Sequence, residues 1–101
     1  NEARYIIASR LRVRFALRVR TVLPTLSPDR LARQVRQDIW RALRDLRGFS
    51  PVVEVVSTSD QCEVRAGGQI NGRFPRAQAE ARIAEVLDNP ANRARWARWA
   101  A

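Results

Sequence analysis

A run of alternating residues near the start of the chain restricts the fold more than any other feature. From Tyr5 to Leu23 nearly every odd position is apolar. Five of the even positions are arginines, namely Arg10, Arg12, Arg14, Arg18 and Arg20. In a helix these arginines would lie on every side and leave no apolar stripe to bury, so the period of two predicts β-structure. A run this long predicts either one bent strand or two strands joined at a bulge near Ala8–Ser9.

The segment that follows has the signals of a helix. Ser27 is a typical N-cap, and Pro28 and Asp29 suit the first turn. The apolar residues then keep the spacing of one buried stripe: Leu31, Val35, Ile39, Ala42, Leu43 and Leu46. We predict a helix from Pro28 to Arg47, with Gly48 as its C′ glycine.

The second half of the chain predicts a hairpin followed by helices. The β-branched segment Val52–Ser57 and the segment Gln61–Ala66 flank a polar turn and predict two antiparallel strands. Gly67-Gly68 either turns the chain into a further strand or forms a bulge in a longer one, and the sequence leaves both open. Pro75 begins a second helix, and Pro90 begins a short helical tail.

This order of elements predicts an α+β fold, a two-layer sandwich in which helices cover one face of an antiparallel sheet. A ferredoxin-like arrangement is also compatible with it. A chain of 101 residues has room for one modest core, so we expect a single domain over residues 1–101, with residues 90–101 as its tail. The order of long strand, helix and hairpin is similar to that of some phage tail-terminator proteins, a likeness of element order alone.

The composition excludes most familiar catalytic chemistry. The chain has no histidine and one cysteine, Cys62, so it cannot build a Cys/His zinc site, a Ser-His-Asp triad or an intramolecular disulfide. We therefore expect a protein that is not an enzyme and holds no metal or cofactor, with Cys62 as a buried apolar residue. Because there is no long apolar run and no signal-peptide pattern, we also expect a cytoplasmic protein with no membrane partner.

The charge balance is the strongest indication of a partner. The 19 basic residues, all of them arginine, exceed the 10 acidic residues and give a formal net charge of +9. Most of the excess positive charge lies in the first half of the chain. Such an imbalance is typical of proteins that bind a polyanion.

One side of the predicted helix combines arginines with a tryptophan. With Leu31 at 0° on a helical wheel, five residues fall between about 140° and 220°: Arg33, Arg36, Trp40, Arg44 and Arg47. An aromatic flanked by cations suits phosphate contact and base stacking. The alternative is a solvated face on which Trp40 is covered by arginine stems or packs against the tail.

The five strand arginines form a second candidate surface. They would lie on one sheet face about 6.6 Å apart, close to the separation of successive phosphates along a single strand. The alternative is that they pair with Glu54, Glu63 or the acids of a partner subunit.

The tail offers a third candidate surface, predicted to be a protein interface and made of Arg95, Trp96, Arg98 and Trp99. Tryptophan and arginine are enriched at the energetic centres of protein interfaces. The alternative is that the two indoles pack back onto the small core of the domain itself.

Together these features predict a small binding protein that contacts the backbone of DNA or RNA through its arginine rows, without base-specific readout. The alternative is a structural or regulatory protein that docks onto an acidic or other protein surface. It would then act as an oligomer or as a subunit of a larger assembly such as a phage or nucleoprotein particle.

Overall fold

Four strands and three helices make up the part of the chain that the computed structural model describes, which comprises residues 3–8, 17–70 and 75–101. The strands are β1 (Ala3–Ala8), β2 (Leu17–Pro24), β3 (Phe49–Ser57) and β4 (Gln61–Ile70). The helices are α1 (Pro28–Leu43), α2 (Arg76–Asp88) and α3 (Pro90–Trp99).

The strands form one antiparallel sheet in the order β1-β3-β4-β2. Its centre is the hairpin β3–β4, in which Val55 pairs with Val64. The Thr58 amide donates to the Gln61 carbonyl and closes the polar turn between the two strands. The predicted hairpin and the α+β fold class, with one helix before the hairpin and two after it, are therefore confirmed.

The long alternating run contains two strands that do not continue one another. β1 pairs with β3 and β2 pairs with β4, so the two strands lie at opposite edges of the sheet. The expectation of one bent strand, or of two joined at a bulge, is wrong because alternation reports only which residues share a face and not which strands are neighbours. Residues 9–16, with Arg10, Arg12 and Arg14, lie outside the described residues.

The helices pack against one face of the sheet and bury its apolar residues. Val53 and Val64 point to this side, where Ile83 and Leu87 of α2 also join the core. The predicted stripe of α1 is buried there, its fully enclosed members being Leu31, Ala32, Val35, Ile39 and Leu43. Because α1 connects β2 to β3 while β4 lies between these strands, the chain forms a split β-α-β unit.

Helix α1 ends one turn earlier than the sequence predicts. Its last residue is Leu43, and the Leu46 amide donates to the Leu43 carbonyl at 2.9 Å in a tight turn. Gly48 follows with a φ of 74°, in the turn before β3 and not next to the helix end. The predicted end at Arg47 is wrong because Leu46, which continued the apolar spacing, also reaches the core from this turn.

Strand β4 runs through Gly67-Gly68 with continuous pairing to β3 as far as Ile70. The chain therefore forms one longer strand there, with neither a turn nor a bulge. The strand requires glycine at the second position. A Cβ on Gly68 would lie 2.2 Å from the Ser50 carbonyl oxygen and 2.8 Å from the Phe49 ring. The neighbouring backbone of β3 therefore occupies the space that any side chain would need.

Helix α3 is held against α1 by a buried tryptophan. Trp96 is fully enclosed, and its indole N–H donates to Asp38 Oδ2 at 2.7 Å. Arg95 donates to the same carboxylate, and the Ser27 amide donates to the Ala100 carbonyl. The prediction that Trp96 belongs to a protein interface is corrected, because a small core gains more from enclosing an indole than from leaving it in water.

Gly68→Ala is expected to lower the free energy of unfolding by about 1–3 kcal/mol or more, because the new methyl group meets backbone that cannot rotate away. Urea denaturation measures the change. Gln69→Ala, the next residue along the same strand, is the control and should have a much smaller effect. Equal effects of the two substitutions would contradict the close approach.

The two tail tryptophans are expected to differ sharply in their effect on stability. Trp96→Ala should cost about 3–5 kcal/mol because it empties a large enclosed volume. Trp99 is 60% exposed, so Trp99→Ala should change stability by less than about 0.5 kcal/mol. Thermal or urea unfolding compares them, and a stable Trp96→Ala variant would show that the core does not depend on the tail.

Candidate nucleic-acid interface

Several arginines make hydrogen bonds that hold the elements of the fold together. Arg93 donates to the Val22 carbonyl at 2.7 Å and to the Leu87 carbonyl at 2.9 Å, which joins the edge strand β2 to the helices. Arg82 donates to the Ala42 carbonyl and to Asp45. Arg95, with its bond to Asp38, belongs to the same group. The net charge of the chain therefore overstates the charge that a ligand can use.

A different set of side chains points outward from α1 and is named here the α1 surface. Every member is exposed to solvent: Arg30, Arg33, Gln37, Trp40, Arg41 and Arg44. They lie opposite the buried stripe, so the packing of α1 on the sheet fixes where they point. Sequence reasoning missed Arg30 and Arg41, which fall at about 260° and 280° on the same wheel. A wider arc on that wheel would have found them.

Two acids near α1 are bound to arginines outside this surface, whereas Asp29 keeps its charge next to Arg30 at the start of the helix. The Asp29 carboxylate accepts a hydrogen bond from the Ser27 hydroxyl at 2.7 Å, which lowers the pKa of Asp29. Asp38 is bound to Arg95 and Trp96, and Asp45 is bound to Arg82.

The charge of the α1 surface comes from four exposed guanidinium groups. These groups make no ion pair with any residue that the structure describes, and they belong to Arg30, Arg33, Arg41 and Arg44. The surface therefore presents four positive charges and no negative one.

Trp40 lies within this charged surface and is 45% exposed. Together with Arg33, Arg36 and Gln37 it lines an open pocket of about 380 Å³. Of the tail residues, Trp96 is fully enclosed in the core, whereas Trp40 keeps nearly half of its surface exposed. An exposed indole with cations on its flanks is suited to stacking on a planar group.

The other arginines that the sequence predicted on this side of the helix differ from one another in position and exposure. Arg36 is half-buried beside the pocket and makes an interaction of its own. Arg44 is the C-cap residue of α1. Arg47 lies in the turn that follows the helix, so it does not continue the helical spacing that the wheel assumed.

The strand arginines that the structure describes lie on the other face of the sheet, in a network of alternating charge. Arg20 and Arg65 both donate to Glu63, at 2.8 and 2.9 Å, and Arg65 also donates to Glu54 at 2.9 Å. These bonds from Arg20 and Arg65 lower the pKa of Glu63, and the two carboxylates raise the pKa of Arg65. The alternative in which a strand arginine pairs with Glu63 thus occurs for Arg20. Arg18 lies beside this pair and is exposed.

The arginine rows predicted from the sequence therefore do not merge into one surface. The α1 surface points away from the sheet, whereas Arg18 and Arg20 lie on the face that no described helix covers. On that face Val52, Glu54 and Val56 are buried. The two groups of arginines consequently face opposite sides of the molecule, and the α1 surface carries four arginines that make no ion pair with the described residues.

Residues 3–8, 17–70 and 75–101 were also searched for a metal site, a reactive cysteine and a membrane-spanning helix. No three His, Cys, Asp or Glu side chains there are grouped so as to hold a metal ion. Cys62 is buried, with its sulfur 3.5 Å from the backbone of Leu26. None of the helices in these ranges has the length and apolar character needed to cross a membrane.

Comparisons of the chain with protein-family models, with curated proteins and with solved structures found no match. The distribution of charge and the exposed aromatic side chain are therefore the observations that bear on function.

Glu63→Gln is expected to remove a pH-dependent part of the stability. Since the pKa of Glu63 in the folded chain is lowered from 4.5, the carboxylate stabilises the fold above that pH. The stabilisation is lost as the pH falls through the lowered value. Urea denaturation at neutral and at stepwise lower pH should therefore show the gap between wild type and Glu63→Gln closing in acid.

The matched control is Glu85→Gln, which removes an exposed glutamate of α2 that makes no ion pair with the described residues. It should change the stability much less than Glu63→Gln at neutral pH. A gap for Glu63→Gln that stays constant with pH would show that its bonds to Arg20 and Arg65 do not stabilise the fold.

Proposed function

We propose that this protein is a non-enzymatic nucleic-acid-binding protein that holds the sugar-phosphate backbone against the α1 surface without reading base sequence. The observation that carries the proposal is the set of four exposed arginines beside Trp40, none of which makes an ion pair with the described residues. A polyanion supplies the counter-charges that the chain's own acids do not provide to this surface.

Arginine is better suited to binding phosphate than a side chain that carries only a point charge. Its planar guanidinium presents donors in a fork that matches two phosphate oxygens. From Arg30 to Arg44 the helix rises about 21 Å, so the arginines can contact several phosphates along one backbone. Each contact releases condensed counterions, which supplies affinity that is independent of sequence and sensitive to salt.

The strand arginines Arg18 and Arg20 would contribute less to binding than the arginines of the α1 surface. Arg20 shares Glu63 with Arg65, so a phosphate would have to compete with a carboxylate already in hydrogen-bonding distance. Arg18 lies beside this network on the same face. A second contact there requires nucleic acid to reach around the molecule, whose shortest extent is 18 Å.

A second candidate function is docking onto a protein in a larger assembly, such as a phage or nucleoprotein particle. The observation that favours it is Trp99, which is 60% exposed next to the exposed Arg98. Large exposed aromatics beside arginine are frequent at the centres of protein interfaces. In this candidate function, Trp99 and Arg98 form the protein interface that the sequence predicted for the whole tail.

The proposed backbone contact predicts a steep and sequence-independent dependence on salt. We expect binding to labelled oligonucleotides to weaken strongly between about 50 and 200 mM salt. The double variant Arg33→Gln, Arg44→Gln should weaken binding to all sequences alike and reduce the slope of log affinity against log salt by about one unit per lost contact. Fluorescence anisotropy at several salt concentrations measures both quantities.

Arg98→Gln is the control, because Arg98 is an exposed arginine of α3 outside the α1 surface. It should leave the salt slope nearly unchanged. Absence of binding to any nucleic acid at about 50 mM salt would reject the proposed function and favour the protein-docking candidate.

A further inference from the structure

We propose that the α1 surface selects single-stranded over double-stranded nucleic acid, by stacking one unpaired base on Trp40 while the surrounding arginines hold the adjoining phosphates. This inference rests on the proposed function and adds to it the class of ligand. Its starting point is the position of the indole, which is 45% exposed and faces an open pocket.

The arginines lie on both sides of Trp40 along the helix axis and on one side of it around the axis. Arg33 lies about 10 Å before Trp40 along the axis, and Arg44 lies about 6 Å after it. A backbone that runs along α1 can therefore contact cations on both sides of the indole. A base attached between two such phosphates is then held close to the exposed aromatic ring.

The pocket beside Trp40 has the chemistry that a base needs. Its wall is formed by the indole and by the side chains of Arg33, Arg36 and Gln37. The ring and the guanidinium planes can stack, and the Gln37 amide can both donate and accept hydrogen bonds at a base edge. None of these groups distinguishes strongly among bases, since every base has a π-face.

A duplex cannot use this arrangement. Its bases are stacked on one another, and their faces are not accessible from outside the helix. Against a duplex, Trp40 would meet sugar and phosphate, so that a large apolar side chain would be enclosed among charges without a stacking partner. Only the arginine contacts would remain, and these are common to both ligands.

Trp99 can be compared with Trp40 because its indole is also exposed. It lies on α3 with Arg98, away from the four arginines without ion pairs that lie beside Trp40. Stacking at Trp99 would therefore lack the phosphate contacts on both sides that hold a backbone in place.

The test compares Trp40→Ala with wild type on two labelled probes, an oligothymidylate of about 12 nucleotides and a mixed-sequence duplex of the same length. We expect wild type to bind the single strand more tightly. Trp40→Ala should weaken single-strand binding about 5- to 150-fold with an unchanged salt slope, and should leave duplex binding nearly unchanged. Trp40→Phe should retain much of the single-strand affinity because it keeps an aromatic ring.

Trp99→Ala is the matched control and should leave both affinities unchanged. Unfolding curves should show Trp40→Ala to be folded, since the indole lies opposite the buried stripe. A spectroscopic readout is available in a Trp99→Phe background, where Trp96 is buried and Trp40 is the exposed tryptophan. Adding oligothymidylate should quench this fluorescence, and adding duplex should not.

The outcomes separate this inference from the proposed function. If Trp40→Ala weakens both probes equally or neither, while Arg33→Gln, Arg44→Gln still weakens both, single-strand selection is wrong and backbone binding stands. If wild type binds neither probe at about 50 mM salt, the proposed function fails and the inference fails with it.

Discussion

Burial of one apolar stripe of α1 against the sheet determines where the charged side chains of this protein lie. Leu31, Val35 and Ile39 are fully enclosed in the same core as Val53 of β3. Since successive residues of a helix are about 100° apart, enclosing this stripe turns the arginines and Trp40 to the opposite side. The α1 surface is thus a consequence of core packing, which fixes the backbone positions of its members.

The acids of the chain concentrate the remaining charge on that surface. Asp38 and Asp45 are bound to arginines of α3 and α2, where the ion pairs join separate elements. Glu63 lies between two arginines on the far face of the sheet. None of these ion pairs involves an arginine of the α1 surface. Exposed arginines tolerate this arrangement because water and salt screen their mutual repulsion.

Local patterns in the sequence predicted local structure, and features that depend on distant contacts were missed. The spacing from Leu31 to Leu43 was sufficient to place the stripe of α1, because a helix buries residues at its own period. Alternation could not show that β1 and β2 occupy opposite edges, since the pairing is decided by β3 and β4. The spacing of Trp96 and Trp99 predicted one shared environment, yet one indole is enclosed and the other is 60% exposed. Burial of Trp96 is favoured by Asp38, a distant residue whose carboxylate accepts the indole N–H.

Asp38 also connects the stability of the fold to the surface proposed to bind nucleic acid. It lies two residues before Trp40 and about 160° around the same helix, so the bonds that fix α3 to α1 are made on the side away from the ligand. A base that stacks on Trp40 therefore meets a helix already held by the sheet on one side and by α3 on another. Binding then requires the ordering of arginine side chains but not of backbone, and this lowers its entropic cost. In the proposed complex, such preorganisation would favour stacking of an unpaired base on Trp40.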